Sequence, residues 1–558
     1  MGDLLCRFGH VPFCEQNGQI AGNCEKSPER YCLMETILVP VDGATNIKLE
    51  ILDFDTLVTL SDQETAAPVE EAGGLEYNAT ARQFSWYDSV LRRLPRGVKN
   101  VKVIAPAARG ASGGLVGADN TLIEVPGRGL TLSYTQNYPV RVEEAFSELA
   151  GSDRDFFLET GSIRDFPGSL TLLKRFLFEE IERPGLVASA KYFATYGALL
   201  SGHFLEDNYL EAVRKAGNEH SYWMCHSGTR NINRPPGTPS SLAKKVKSFA
   251  RLVPERTRTV YQPLGTMPES QASALGLTGD LTVIPGGHDT CLSHIPILST
   301  FYRAFPEKSG GPVIQVDAGS WTVVSLIGGP ALLPPDGHKR DILVQGTVDG
   351  YPVVTARYGG GNDFRFIRQM VEKRGMRFEA SLDEKLLEMI LDQADCFVLP
   401  NVNPINRHTG PFPDWKGKII NEPAFLKIPG KAFIITNLCT AIITAGRIED
   451  LGAEGNVPVV TTAGGSKDPY FGRLLAALSG RHVYALFDRE GRALSETTTL
   501  GAAITGKAAC LGIHPYQVDI SGLGVIYKKL EPFRDSIKKK LCRYRERFME
   551  ELTKAGVP

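Results

Sequence analysis

The sequence predicts an α/β protein of two domains with common ancestry, and three observations carry that reading. β-prone runs alternate with helical runs through most of the chain, as layered α/β folds require. The chain has 558 residues, 42% of them hydrophobic, enough for more than one cored domain. A hairpin pattern near the N-terminus also returns near the middle. Residues 41–49, VDGATNIKL, and 316–324, VDAGSWTVV, share Val-Asp, two small residues, a hydroxyl residue and an apolar run. Two domains of one origin facing each other leave such a repeat.

Bulk properties narrow the function. The net charge is −1, with both signs spread along the chain, which argues against a nucleic-acid-binding face and for a small-molecule or protein partner. The most apolar stretch, 433–446, carries Thr436, Asn437, Thr440 and Thr444 and is too short to span a bilayer. The first thirty residues lack the pattern of a secretory signal. The expectation is a soluble cytoplasmic protein. Cys6, Cys14, Cys24 and Cys32 crowd the N-terminus without a C-x2-C pair, so a loose leader is a better reading than a zinc site. Met34 directly precedes the first convincing strand, and residues 1–33 read as an N-terminal extension or an unused upstream start.

Taken in order, residues 36–41 and 47–54 are β-prone runs around a small, polar turn at 42–46, a hairpin signal. Residues 170–183 carry an apolar helical stripe stopped by Pro184-Gly185. Residues 227–241, rich in Gly, Pro, Ser and Asn, read as a loop on the surface or over a cleft. The stretch 281–290, LTVIPGGHDT, is central. An apolar run ends in Gly286-Gly287, which let the backbone turn sharply and approach a ligand. Asp289 then projects from a strand end, where a carboxylate can take a proton from a hydroxyl. The same Asp is a favoured N-cap for a helix starting near Cys291, and the stretch alone supports either role.

Residues 306–311 are the expected boundary between halves, and 313–327 form the second hairpin. Residues 457–460 are an apolar run, 461–468 a small-residue turn, and a helix follows from Pro469 with Asp468 as its N-cap. Phe471, Leu474, Leu475 and Leu478 give that helix a buried face. A Gly-Gly turn between strand and helix offers free N–H groups and the positive end of the dipole to a nucleotide or phosphate. An ordinary tight connection reads the same way, and neither a P-loop nor G-x-G-x-x-G spacing occurs. Residues 496–503 open a helix of small residues fit for close packing. From Phe533 a terminal helix carries apolar residues at helical spacing among Lys538, Lys539, Lys540, Arg543, Arg545 and Arg547, which reads as a docked terminal helix with a solvated basic face in preference to a membrane-surface helix.

The order of these motifs resembles the FGGY family of carbohydrate kinases across roughly residues 34–511. Within it the chain is most similar to the rhamnulokinase and fuculokinase branch, through Gly287-His288-Asp289-Thr290, Ala318-Gly319-Ser320-Trp321-Thr322 and Gly110-Ala111-Ser112-Gly113-Gly114-Leu115. The resemblance implies two actin-like (ribonuclease H-like) ATPase domains of the sugar kinase/Hsp70/actin superfamily flanking a cleft. Residues 34–305 would hold the sugar and the base, 312–515 would hold ATP, and 516–558 would form a helical tail. It implies Asp289 as the catalytic base. Asp42 would hold Mg2+ through water, with Gly43, Ala44, Thr45 and Lys48 in the first phosphate loop. Gly319, Ser320, Trp321 and Thr322 would form the second loop, and Gly464, Gly465, Ser466 and Lys467 the adenosine turn. Arg109, Ser112, Gly113, His288 and Asp289 would line the sugar. The implied reaction moves the ATP γ-phosphate to a hydroxyl of a ketose: a 6-deoxyketose such as L-rhamnulose or L-fuculose, or a ketopentose such as ribulose or xylulose. Implied cofactors are ATP and Mg2+, with no nucleic acid and no membrane, and a homodimer left open. The alternative is a kinase-fold protein that binds sugar or nucleotide without transferring phosphate.

The chain departs from the family pattern in two places. The first loop is usually Asp-x-Gly-x-[ST], but Asp42 directly precedes Gly43: matching Gly43 and Lys48 puts Val41 where the Asp belongs, matching Asp42 puts Ala44 where the Gly belongs, and either way the loop is one residue off. In the sugar stretch, Ala111, Ser112 and Gly113 stand where polar residues are usual, with Arg109 nearby to compensate. Trp223, Cys225 and His226 fall on the sugar side or in the core, and Arg357 and Tyr358 on an expected cleft loop.

Overall fold

The computed structural model describes residues 34–556, apart from 44, 135, 165–170, 206–217, 220, 222, 224–226, 254–256, 330–331, 380–382 and 405–415. The expected extension with its four cysteines, Ala44, Cys225 and His226 lie outside the described residues.

The first sheet grows from β1 (Thr36–Asp42), whose residues are buried on both faces, as a central strand with parallel neighbours should be. β2 (Asn46–Asp53) returns antiparallel, with Gly43 N–H donating to Asn46 O at 3.0 Å in the turn. β3 (Thr59–Ala66) continues the meander. After helix α1 (Thr80–Arg93), β4 (Val101–Ile104) and β5 (Ala107–Ala108) both pair parallel with β1. β6 (Gly265–Thr266), β7 (Thr282–Val283) and β8 (Gly287–His288) complete the order β6-β7-β4-β1-β2-β3, with β8 on β5. Side chains alternate across β1. Leu38 packs with Tyr87, Val90 and Leu91 of α1, whereas Ile37 and Val39 pack with Leu292 and Ile295. Those two residues belong to helix α2 (Asp289–Ala304).

The second sheet repeats this plan. β9 (Val313–Ala318) and β10 (Thr322–Ile327) form the returning hairpin, extended by β11 (Ile342–Gly346) and β12 (Pro352–Tyr358). Helices α3 (Gly360–Glu372) and α4 (Lys431–Asp450) follow, and β13 (Val459–Ala463) pairs parallel with β9. Helix α5 (Pro469–Ser479), β14 (Val483–Phe487), helix α6 (Thr497–Leu511), β15 (Ile526–Leu530) and helix α7 (Asp535–Lys554) end the chain. The strand order is β11-β12-β10-β9-β13-β14-β15. Each sheet is thus an antiparallel meander with parallel strands added beside its first strand, and the two form the paired actin-like, ribonuclease H-like lobes.

Two helices are exchanged between the lobes. α2 follows the first sheet, yet its Ile297 and Phe301 pack with Val313 and Ile327 of the second. α6 comes from the second lobe, yet its Leu500, Ala503 and Ile504 pack on Ile37 and Val39 of the first. Where they cross, a Cβ on Gly501 would lie 1.9 Å from Leu292 O, so close packing requires glycine there.

Several expectations are corrected. The stripe at 170–183 is helical over Leu172–Glu182, but Pro184-Gly185 open a further short helix, Pro184–Ser189, because Pro is favoured at a first helical position. Of the run 281–285 only Thr282–Val283 pairs, since Leu281 adopts φ +49°. Within residues 516–558, β15 adds a strand to the second sheet that the expected helical tail did not include, and α7 is docked through Ile537, Leu541, Tyr544 and Phe548. The stretch 433–446 belongs to α4, which is long and apolar enough to cross a membrane, but 67% of its apolar window is buried. Arg357 and Tyr358 lie on β12, buried, and not on a loop.

Candidate functional site

Asp289 stands where the first sheet meets α2. β8 pairs with β5, and β5 pairs with the end of β1, Val41 and Asp42. The chain therefore delivers Asp289 beside the first hairpin. The carboxylate starts α2 at its positive end, and its Oδ1 accepts from Thr290 N–H at 2.6 Å and Thr290 Oγ1 at 3.2 Å. Burial pushes the carboxyl up to about 6, against the pull of these hydrogen bonds and of the Arg109 charge. Oδ2 has no hydrogen bond or ion pair among the described residues. His288, assigned to the sugar by resemblance, is 3% exposed, and burial holds its ring neutral, with the pKa down to about 3. Its Nε2 lies 3.3 Å from Asp289 Oδ1.

The first hairpin is occupied by its own side chains. Asp42 Oδ2 accepts from Arg109 Nε at 2.7 Å, and Oδ1 accepts from Arg109 Nη2 at 2.8 Å and Gln83 Nε2 at 3.2 Å. Asp42 is fully buried and Arg109 6% exposed. Burial weakens the guanidinium's hold on its proton, but the Asp42 carboxylate more than restores it, and Arg109 stays charged. The pair is walled by Tyr87 and by Tyr196, whose ring lies 5.4 Å from the guanidinium. Both Asp42 oxygens are thus engaged by Arg109 and Gln83. Arg109 is likewise committed to Asp42. Lys48 is paired with Glu496 at 2.9 Å and Glu64 at 3.5 Å. Thr45 is exposed, with its carbonyl accepting from Ala67 N–H at 2.8 Å. Ser112 is buried and donates to Gly110 O at 3.2 Å. Gly113 is buried in strand pairing with Thr195, and a Cβ there would lie 2.4 Å from Ala194 O. Packing requires glycine there.

The second hairpin is open. A cavity of about 610 Å3 is lined by Gly319, Ser320 and Thr322 of the hairpin, Gly464, Gly465 and Lys467 of the turn, and side chains of α3, α4 and α5. Residues expected in two separate loops are thus brought together. Gly464–Lys467 form one helical turn after β13, entered through Ala463 at φ +51°, a strained conformation for a non-glycine. Asp468 caps α5 as expected, accepting from Tyr470 and Phe471 N–H at 2.9 and 3.3 Å. A Cβ on Gly361 would lie 1.8 Å from Gly319 O, so α3 can approach the loop only with glycine there. Ser466 and Trp321 do not line this cavity. Ser466 Oγ donates back to Thr461 O, and the Trp321 ring lies 4.8 Å beneath the Arg357 guanidinium.

Sequence reasoning missed four kinds of residue here. Arg365 and Arg368, one turn apart on α3, bring cations to the cavity, and Arg365 Nη2 donates to Ser320 Oγ at 3.1 Å. Their signal was the Gly359-Gly360-Gly361 run before a helix carrying two arginines on one face. Phe433 and Asn437 were weighed only as part of an apolar stretch. Tyr134 sits within reach of the charges of Arg109, Asp289, Arg357 and Asp42, with burial first in pushing its phenol up, and no local pattern announced it. Asp317, which burial and then Asp289 and Glu496 push up to about 7, was visible as half of the repeat.

Residues 311–510 match the family described as carbohydrate kinase FGGY, C-terminal domain. No curated protein matches the chain. Among solved structures the chain is similar to a carbohydrate kinase from Novosphingobium aromaticivorans, with a TM-score of 0.70, 21% identity, and coverage of 94% of this chain and 100% of that one. It is similar to a xylulose kinase from Lactobacillus acidophilus, with a TM-score of 0.69, 13% identity and coverage of 94% and 99%. It is also similar to glycerol kinase of Plasmodium falciparum with ADP, with a TM-score of 0.67, 12% identity and coverage of 93% and 98%. At these identities the likeness establishes the two-domain actin-like ATPase fold.

Proposed function

We propose that this chain is a cytoplasmic ATP-dependent carbohydrate kinase of the FGGY family, with Asp289 as its general base. One observation carries the reading. Asp289 has an Oδ2 without a hydrogen bond or ion pair among the described residues, a carboxyl raised to about 6, and a place where the first sheet meets α2, whose later turns pack on the second sheet. A base poised near neutral pH is what removal of a hydroxyl proton needs. The acceptor hydroxyl gives its proton to Asp289 Oδ2 as its oxygen bonds to the γ-phosphorus, and the bond from that phosphorus to the β-bridging oxygen breaks to release ADP. Arg365, Arg368 and Lys467 hold phosphate oxygens, and Phe433 and Phe471 flank the base of the nucleotide. A divalent cation carried in with ATP supplies charge neutralisation at the phosphates. Closure of the lobes over the acceptor keeps water from the phosphate.

The acceptor is a ketose. The chain's motifs favour the rhamnulokinase and fuculokinase branch, hence a 6-deoxyketose such as L-rhamnulose or L-fuculose. The xylulose kinases among its structural neighbours favour a ketopentose next. A second reading, a kinase-fold binder that transfers no phosphate, is favoured by the closed Asp42–Arg109 pair in the first hairpin. One assay separates them: ADP release over ketoses, aldoses and polyols with ATP-Mg. A single strong responder is expected and names the acceptor. Silence across the panel, with ATP still raising the melting temperature, would replace the kinase reading by the binder.

A further inference from the structure

We infer that the carboxylate facing the divalent cation of the bound nucleotide is Asp317 of the second hairpin, and that a one-residue offset has removed Asp42 from that position. The inference rests on the kinase reading and concerns which side of each hairpin strand presents a carboxylate.

Side chains of a strand alternate between faces. On β1, Ile37, Val39 and Val41 pack in the cluster that holds Leu292 and Ile295 of α2. Leu38 and Asp42 point the other way, Leu38 to Tyr87 and Asp42 to Gln83, both on α1. The face toward α2 therefore ends in Val41, and no carboxylate stands there.

On β9 the alternation falls the other way. Val313 packs with Ile297 and Phe301 of α2. Two residues on, Gln315 Nε2 donates to Ser293 O at 3.3 Å and Ser293 Oγ at 3.2 Å. Two residues further along that face is Asp317, and one turn back along α2 from Ser293 is Asp289. Asp317 thus stands over the first turn of α2, which agrees with its electrostatic coupling to Asp289. A Cβ on Gly319 would lie 3.8 Å from Asp317 Oδ1, so the carboxylate also borders the loop that lines the cavity. Asp317 is partly exposed and has no hydrogen bond or ion pair among the described residues. Beside it on the same face, Gln315 Oε1 is buried without a partner, in a residue 1% exposed.

The spacing agrees. Asp317 is two residues before Gly319, whereas Val41 is two before Gly43. Registered by glycine and by face, Asp317 corresponds to Val41 and not to Asp42. Mg2+ keeps several waters and uses one or two carboxylates plus substrate phosphates.

The test uses the full chain, Mn2+ as the probe and ADP as the nucleotide, with bound Mn2+ read by electron paramagnetic resonance and ADP affinity measured separately in EDTA. Asp317→Asn is expected to weaken Mn2+ retention in the ADP complex at least about tenfold, with ADP affinity in EDTA unchanged, which also shows that the variant is folded. Asp42→Asn is expected to keep wild-type Mn2+ affinity. Unchanged Mn2+ retention in Asp317→Asn, or loss confined to Asp42→Asn, overturns the inference and leaves the kinase reading standing. A wild-type protein that binds ADP neither with nor without Mn2+ overturns both.

Discussion

The two hairpins open with the same Val-Asp and put it to opposite uses. In the first, Asp42 is fully buried and bridged by Arg109 through two hydrogen bonds. In the second, Asp317 is partly exposed, borders the Gly319 loop that lines the cavity, and lies within electrostatic reach of Asp289. Both strands are central in equivalent sheets, and both aspartates sit at the strand end. The difference is the face. A strand alternates with period two, so an offset of one residue relative to the turn glycine moves a carboxylate to the other side of the sheet. There it meets α1 and must be paired, because an unpaired buried charge is costly. On the α2 side it borders a cleft where a ligand can compensate it. The residue type sets what a position can do, and the face sets whether it does it.

The largest effect expected is on the open side. Asp289→Asn should lower kcat by about 10^2- to 10^4-fold while ADP still binds, measured by coupled assay and calorimetry. Because the base must be ionised, wild-type kcat should fall as pH drops below about 6, with the slope of a single proton. A loss below tenfold would move the base elsewhere and break the division of labour drawn between the hairpins. Next in size is the closed side. Arg109→Met strands Asp42 in the core and should cost about 3–5 kcal/mol in urea unfolding. Adding Asp42→Leu should return much of that loss, since the two sites are directly coupled. Asp317→Asn should cost no stability, because it removes a carboxylate that burial already disfavours. Equal losses at Asp42 and Asp317 would erase the contrast.

Much of this was legible in the sequence, for reasons that also explain what was not. The repeat at 41–49 and 316–324, the strand before Gly286-Gly287 and the Asp468-Pro469 cap are local signals, and short-range geometry reads them directly. Overlaying the repeats by Val-Asp matched Asp42 with Asp317, because letters do not carry the face. The glycine offset noted at Gly43 was the clue, and the packing of Val41 against the α2 side gives it meaning. The Asp42–Arg109 pair, Tyr134 and the Phe433–Asn437 wall depend on contacts between residues far apart in the chain, which no window contains. The packing that requires glycine at 113 likewise comes from Ala194, 81 residues later.

Glu50 tests the same rule on β2. It is 2% exposed, accepts from Thr499 Oγ1 of α6 at 2.8 Å, and is pushed up to about 7, chiefly by burial. Its folded value lies above the ordinary 4.5, so the folded protein holds the extra proton between those values, and stability falls as pH rises through that window. Glu50→Gln, which imitates the protonated acid, should raise stability at pH 8 by roughly 2–3 kcal/mol. That gain should vanish below about pH 4.5, as followed by thermal melts. A gain that persists at low pH would mean repacking against α6 and not relief of a buried charge.

The smallest effect is expected at Lys48, and it is the sharpest on the first hairpin. Its ammonium is held by Glu496 and Glu64, with the lysine side chain 20% exposed and the two carboxylates 50% and 38%. Such exposed pairs contribute about 0–1 kcal/mol, so Lys48→Met should leave the melting temperature nearly unchanged. If the first hairpin has given up its phosphate role, the substitution should also change ADP-Mg affinity by no more than about twofold. Affinity is the decisive readout, because a structural pair does not move it. A loss of tenfold or more would mean that Lys48 leaves Glu496 when nucleotide binds. The first hairpin would then still be a phosphate loop, closed by the Asp42–Arg109 pair only in the absence of ligand, and the contrast between the hairpins would describe a state of the enzyme and not its construction.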